Sequence, residues 1–84
     1  MLVRVGAAGI CASDLHIIKG EFTSPLERVT PGHEAAGTIA QVGAAVPLWQ
    51  RGQRVTLVAG KSSCMIMGQA YDGGWAEYLV VPHY

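Results

Sequence analysis

Glycine punctuates this chain at eleven of its 84 positions, spread between short apolar runs rather than gathered in one tract. Helical bundles avoid such usage, whereas tight turns, bulges and close backbone approaches call for it. A mainly β domain follows. Its central stretch is Gly32-His33-Glu34-Ala35-Ala36-Gly37, continuing through residues 38–42 to Gly43 and Val46. An imidazole and a carboxylate stand side by side after Pro31-Gly32, and an alternating run with a glycine at each end follows them. Upstream lies a second polar knot in apolar surroundings, Gly9-Ile10-Cys11-Ala12-Ser13-Asp14-Leu15-His16.

The length allows one domain, which would bury only roughly 60% of its unfolded surface. Hydrophobic residues make up 50% and charged residues 14%, a balance that excludes a disordered tail. Six basic and six acidic residues cancel without clustering, which argues against nucleic acid or an anionic membrane surface as a partner. No apolar run approaches the ~20 residues that span a bilayer. The N-terminal apolar run is too short and broken for a signal peptide, so a soluble cytoplasmic protein is expected. Cys11 and Cys64 are read as a thiolate ligand or inert thiols rather than a disulfide, since nothing else looks secreted.

Residues 2–5 read as a strand with Arg4 facing water, and residues 6–9 as a flexible passage. Ser13 suits a helix N-cap and Asp14 the first turn, where the helix dipole favours an anion. Gly20 suits the left-handed position after that short helix. Residues 21–30 and 43–51 read as loops, residues 37–42 as a strand entering across Ala35-Ala36, and Gly52 as a turn. Strands are expected over 54–58 and 75–81, the second after an Asp72-Gly73-Gly74 turn and stopped by Pro82. Residues 60–72 look irregular. Short strands joined by irregular loops point to a partly open β-barrel with short helical turns.

Cys11 and His33 lie 22 positions apart, so only a tertiary fold unites them. A thiolate, an imidazole and the Glu34 carboxylate suit zinc, which accepts mixed sulfur, nitrogen and oxygen donors. No CxxC pair marks a closed structural site. Three ligands and an open position would instead make a Lewis-acid centre. The alternatives stay open at this point: a buried thiol acting as a small hydrophobe, and a hydrogen-bonded core histidine. Ser13 and His16, three apart on one turn, are either a proton relay or a cap and a surface histidine. Asp14 either accepts the N–H of a metal-bound histidine or only answers the dipole. A Cys–His nucleophile pair is a competing reading, for which the sequence offers neither a third group nor an oxyanion hole. No Gly-x-Gly-x-x-Gly dinucleotide fingerprint occurs.

With these segments placed, the chain resembles the GroES-like N-terminal catalytic domain of the zinc-dependent medium-chain alcohol dehydrogenase family. Gly9-Ile-Cys11-Ala-Ser13-Asp14-Leu-His16 is similar to the family's first zinc-ligand segment. Gly32-His33-Glu34 with Gly37, Gly43 and Val46 matches its zinc signature at every defined position. Gly52-Gln53-Arg54-Val55 resembles a Gly-Asp-Arg-Val turn with Gln for Asp, and Asp72-Gly-Gly-Trp-Ala-Glu77-Tyr78 the closing strand. The resemblance implies NAD(P)-linked alcohol oxidation or carbonyl reduction at a catalytic zinc in a homo-oligomeric parent. It implies Cys11 and His33 as ligands, Glu34 as a ligand or near-ligand, Ser13 and His16 as the catalytic proton path, and Asp14 behind the ligands.

The departures matter equally. The family's four-cysteine structural-zinc lobe is reduced to Cys64 behind Lys61-Ser62-Ser63, and no structural zinc is expected. A nucleotide-binding domain would be expected after residue 84, and a hairpin before Leu2. The chain thus reads as a fragment, inactive alone and prone to associate through uncovered apolar surface. A non-catalytic barrel serving as a packing or interaction module is the alternative.

Overall fold

A computed structural model describes residues 1–22, 24–60 and 66–82. Among these residues, four strands and one helix follow in the order β1 (Leu2–Ala8), α1 (Ala12–Ile18), β2 (Ala35–Gln41), β3 (Arg54–Thr56) and β4 (Tyr78–Val80). The strands form one sheet in the order β3-β2-β1-β4, with every neighbouring pair antiparallel. Two seven-residue strands lie in the middle and two three-residue strands at the edges. This open, mainly β architecture agrees with the expectation from glycine spacing and short alternating runs.

Alternation assigns the two faces of the sheet. Val3 pairs with Ile39 on one side and Leu79 on the other, and Val5 with Gly37, which in turn pairs with Val55. Val3, Ile39 and Leu79 are buried, as are Ala35, Met67 and Val81. Met1, Val5, Val55, Leu57 and Tyr71 pack against this core. Each fully buried aliphatic side chain contributes roughly 1.5–3 kcal/mol. The other face carries the row Arg54, Thr38, Arg4 and Tyr78, of which both arginines and Tyr78 are exposed. At Gly37 an added Cβ would lie 2.1 Å from the Arg4 carbonyl oxygen, so the neighbouring strand fills the place of a side chain.

Several sequence expectations need correction. Residues 6–8 are not a flexible passage: they belong to β1, where Ala7 and Ala8 pair with Ala36 and Ala35 around an irregularity at Gly6. The third strand ends at Thr56 rather than residue 58. Its partner β2 begins at Ala35, whose carbonyl takes the Leu57 amide at 2.9 Å, and no strand residue remains opposite Val58. The fourth covers only Tyr78–Val80 because residues 73–75 turn to a different partner. Their amides donate to the carbonyls of Thr30, Gly32 and Pro31 at 2.7, 2.7 and 3.1 Å. Gly20 has the left-handed φ of 75° that a helix end favours, and Gly52 one of 93°. The reading of a reduced lobe at Lys61-Ser62-Ser63-Cys64 lies outside the described residues.

Candidate metal centre

The sheet brings the two polar segments together. Ala8 and Ala35 are the last cross-strand pair of β1 and β2, and one step beyond them Gly9 donates to the Glu34 carbonyl at 2.7 Å. Antiparallel pairing therefore delivers the residues leaving β1 opposite those entering β2. Cys11 meets His33 and Glu34 for that reason, despite their separation in sequence.

Asp14 then fixes how the segments face each other. Cys11, not Ser13, caps α1, with φ −114° and ψ 158°, so Ser13 lies within the first turn. Asp14 sits in that turn and is completely buried. Its Oδ2 accepts the Cys11 amide at 2.8 Å and its Oδ1 the Gly32 amide at 3.1 Å. The His33 Nδ1 stands 3.4 Å from the same Oδ1. A buried carboxylate requires such partners, and each bond to a charged acceptor is worth about 1.5–3 kcal/mol. The dipole reading and the histidine-facing reading of Asp14 thus describe one residue serving both segments. Gly32 makes the bend between them possible, with φ 103° and with Trp75 Cδ1 only 2.6 Å from where a Cβ would sit.

Cys11, His33 and Glu34 each offer a donor atom, and these atoms lie within 4.8 Å of one another. The His33 Nε2 is 3.8 Å from Glu34 Oε1, leaving Nδ1 towards Asp14. Zinc bonds of about 2.0–2.3 Å place tetrahedral donors roughly 3.3–3.8 Å apart, a spacing the His33–Glu34 pair already has. Cys11 carries a free thiol and is half-buried, as is His33, whereas the Glu34 carboxylate is 57% exposed. One sulfur, one nitrogen and one exposed oxygen donor suit zinc with a position left for a further ligand.

Ser13 and His16, the two proposed relay residues, have different surroundings. Ser13 Oγ lies 3.6 Å from Cys11 Sγ, at the site. His16 turns outward, its Nδ1 bonded to Glu21 Oε2 and its ring 5.5 Å from that of Phe22. Both members of that pair are about half exposed. The Cys–His nucleophile reading gains a third group in Asp14. It still lacks an oxyanion hole from the amides of Cys11 and Gly32, which are both engaged by that carboxylate.

Sequence reasoning missed two partners. Glu21 lies in a loop just past α1, and its place five residues after His16 puts it within reach of that ring. Trp75 precedes the strand that the sequence places it in, and its indole Nε1 donates to the Gly9 carbonyl at 3.0 Å. The Asp72-Gly73-Gly74 turn before it was the available signal that the chain changes direction there.

A family model described as the alcohol dehydrogenase GroES-like domain matches residues 1–84. An NAD-dependent alcohol dehydrogenase of Sulfurisphaera tokodaii is 33% identical over 108 residues, covering 100% of this chain and 31% of that protein. A crystal structure assigned as a zinc-binding dehydrogenase of Sinorhizobium meliloti 1021, bound to NADP, superposes with a TM-score of 0.88 at 35% identity. It covers 99% of this chain and 29% of its own. A cobalt- and zinc-bound thermostable alcohol dehydrogenase of Pyrobaculum aerophilum gives 0.82 at 29% identity, covering 96% and 30%. The chain therefore spans about three tenths of the length of these relatives.

Proposed function

The chain belongs to the alcohol dehydrogenase GroES-like domain family, and from that premise we propose that it is the catalytic-zinc domain of an NAD(P)-dependent alcohol dehydrogenase-like oxidoreductase. The observation that carries this reading is the convergence of Cys11, His33 and Glu34 within 4.8 Å, over a buried Asp14 that faces His33. When bound there, zinc supplies Lewis-acid polarisation of an alcohol or carbonyl oxygen.

The residues of the chain divide the remaining work. Cys11 and His33 hold the ion, and Asp14 keeps the His33 ring oriented through Nδ1, the usual service of an outer carboxylate to a metal-bound histidine. Glu34, with a more exposed side chain than His33, would be a third ligand or an alternating near-ligand. The Ser13 hydroxyl, beside Cys11 Sγ, takes the proton of the alcohol during oxidation and returns it during carbonyl reduction. His16 lies one turn further along α1 and carries that proton outward, where Glu21 meets its Nδ1.

The hydride acceptor is a nicotinamide cofactor, and its site lies in a nucleotide-binding domain outside these 84 residues, which carry no dinucleotide fingerprint. Alone, the chain binds metal without turning over substrate. Ile10, Leu15, Ile18 and Phe22 are exposed around α1, and their apolar surface favours a covering partner domain and self-association in its absence.

Equilibrium dialysis against zinc tests the site. The wild-type chain takes up one equivalent and Cys11→Ser loses it. Uptake that is absent, or unaltered by the substitution, removes the metal reading and leaves the chain as a packing module. NAD(P)-dependent alcohol oxidation by the isolated chain would contradict the division of labour.

A further inference from the structure

Trp75 touches both ligand-bearing segments, and each contact falls two residues before a metal donor. Its indole Nε1 donates to the Gly9 carbonyl at 3.0 Å, ahead of Cys11. Its backbone amide donates to the Pro31 carbonyl at 3.1 Å, ahead of His33. The ring also fills the space above Gly32, where an added Cβ would approach Cδ1 at 2.6 Å. Gly9 is held from its other side as well, since its amide donates to the Glu34 carbonyl at 2.7 Å. The bare Cα of Gly9 also faces the Glu34 carboxylate, with Oε2 2.4 Å from the position of a Cβ.

Taken together these contacts make a joint. Sheet pairing alone brings the segments side by side only as far as Gly9 and Glu34. Asp14 then binds Cys11 to Gly32 from beneath. Trp75 closes the frame from the C-terminal part of the chain, 66 residues from Gly9. An indole is rigid and offers one donor, so it sets the Gly9 carbonyl against Gly32 at a defined distance.

We propose that Trp75 is a positioning residue of the metal centre, holding the Cys11 segment against the His33–Glu34 segment through the carbonyl of Gly9. This rests on the zinc reading above. It predicts that metal affinity responds to the indole N–H separately from the integrity of the fold.

Trp75→Phe removes the donor and keeps an aromatic ring over Gly32. Cobalt(II), whose thiolate and ligand-field absorption reports geometry, is titrated into wild type, Trp75→Phe, Gly9→Ala and the control Trp49→Phe, with far-UV circular dichroism recorded for each. Trp75→Phe is expected to retain its dichroism, bind cobalt about 10–100-fold more weakly and show altered ligand-field bands, the scale found when a ligand's outer partner is lost. Gly9→Ala strikes the joint from the Glu34 side and should weaken binding comparably, while Trp49→Phe binds as wild type. Unchanged affinity and bands in Trp75→Phe overturn the proposal while leaving the zinc reading intact. Loss of dichroism in that variant makes Trp75 merely structural and also overturns it. Absence of uptake by wild type fails the zinc reading itself, and the proposal with it.

Discussion

At its N-terminal end α1 is held by residues distant in the chain, whereas at its C-terminal end its contacts come from within a few positions. Asp14 reaches across to Gly32 and His33, and Gly9, just ahead of the helix, is bonded to Glu34 and Trp75. At the other end Lys19, Gly20 and Glu21 donate to the carbonyls of Leu15, Ile17 and His16 at 2.9–3.0 Å. Glu21 meets His16, and Phe22 lies against that ring. At the first end Asp14 is buried and Cys11 and Ser13 are half-buried, whereas His16 and residues 18–22 at the second are exposed. Bonds between distant segments couple a disturbance at one to Cys11 and His33 in the other, while half-solvated local pairs lie beside water that can replace them.

Asp14→Leu should show the largest effect. It leaves the Cys11 and Gly32 amides without their acceptor, at about 1–3 kcal/mol each for a buried group left unsatisfied. A combined loss of about 3–5 kcal/mol lowers Tm by more than about 12 °C in a domain of this size. A loss under about 1 kcal/mol in chemical denaturation would show that the N-terminal end is not held as described.

Gly32→Ala comes next. A left-handed backbone costs an alanine roughly 1–2 kcal/mol, and crowding against Trp75 adds about 1–3 kcal/mol. Thermal unfolding should register about 2–5 kcal/mol, together with weaker zinc uptake because His33 follows directly. Stability equal to wild type would mean that the bend is not required.

Glu21→Gln marks the small end of the scale. His16 and Glu21 are both about half exposed, and such pairs contribute about 0–1 kcal/mol. Unfolding free energy should change by less than about 1 kcal/mol, with zinc affinity unaltered. A marked fall in zinc affinity would erase the contrast between the two ends of the helix.

Much of this was legible in the residues. The alternation of β1 and β2 and the left-handed glycine after α1 depend on neighbours one to four positions away. So does the reading of Cys11, His33 and Glu34 as candidate donors, because donor type is written in their side chains. Strand length was less legible at the edges: β3 stops where β2 offers no further partner, and residues 73–75 leave the sheet for the Pro31–Gly32 turn. The helix cap depends on tertiary structure in a related way. Ser13 has the better capping side chain, but Asp14 draws in the Cys11 amide, and that bond sets where the helix begins.

By itself, then, the sequence determined a glycine-jointed, mainly β domain and the set of atoms able to bind a metal, since composition, period and donor type are local properties. The tertiary structure alone decided that Cys11 stands against His33, that Asp14 is shared between them, and that Trp75 reaches Gly9. Those relations cross 18 to 66 positions, and only antiparallel pairing and buried hydrogen bonds make residues so far apart into neighbours.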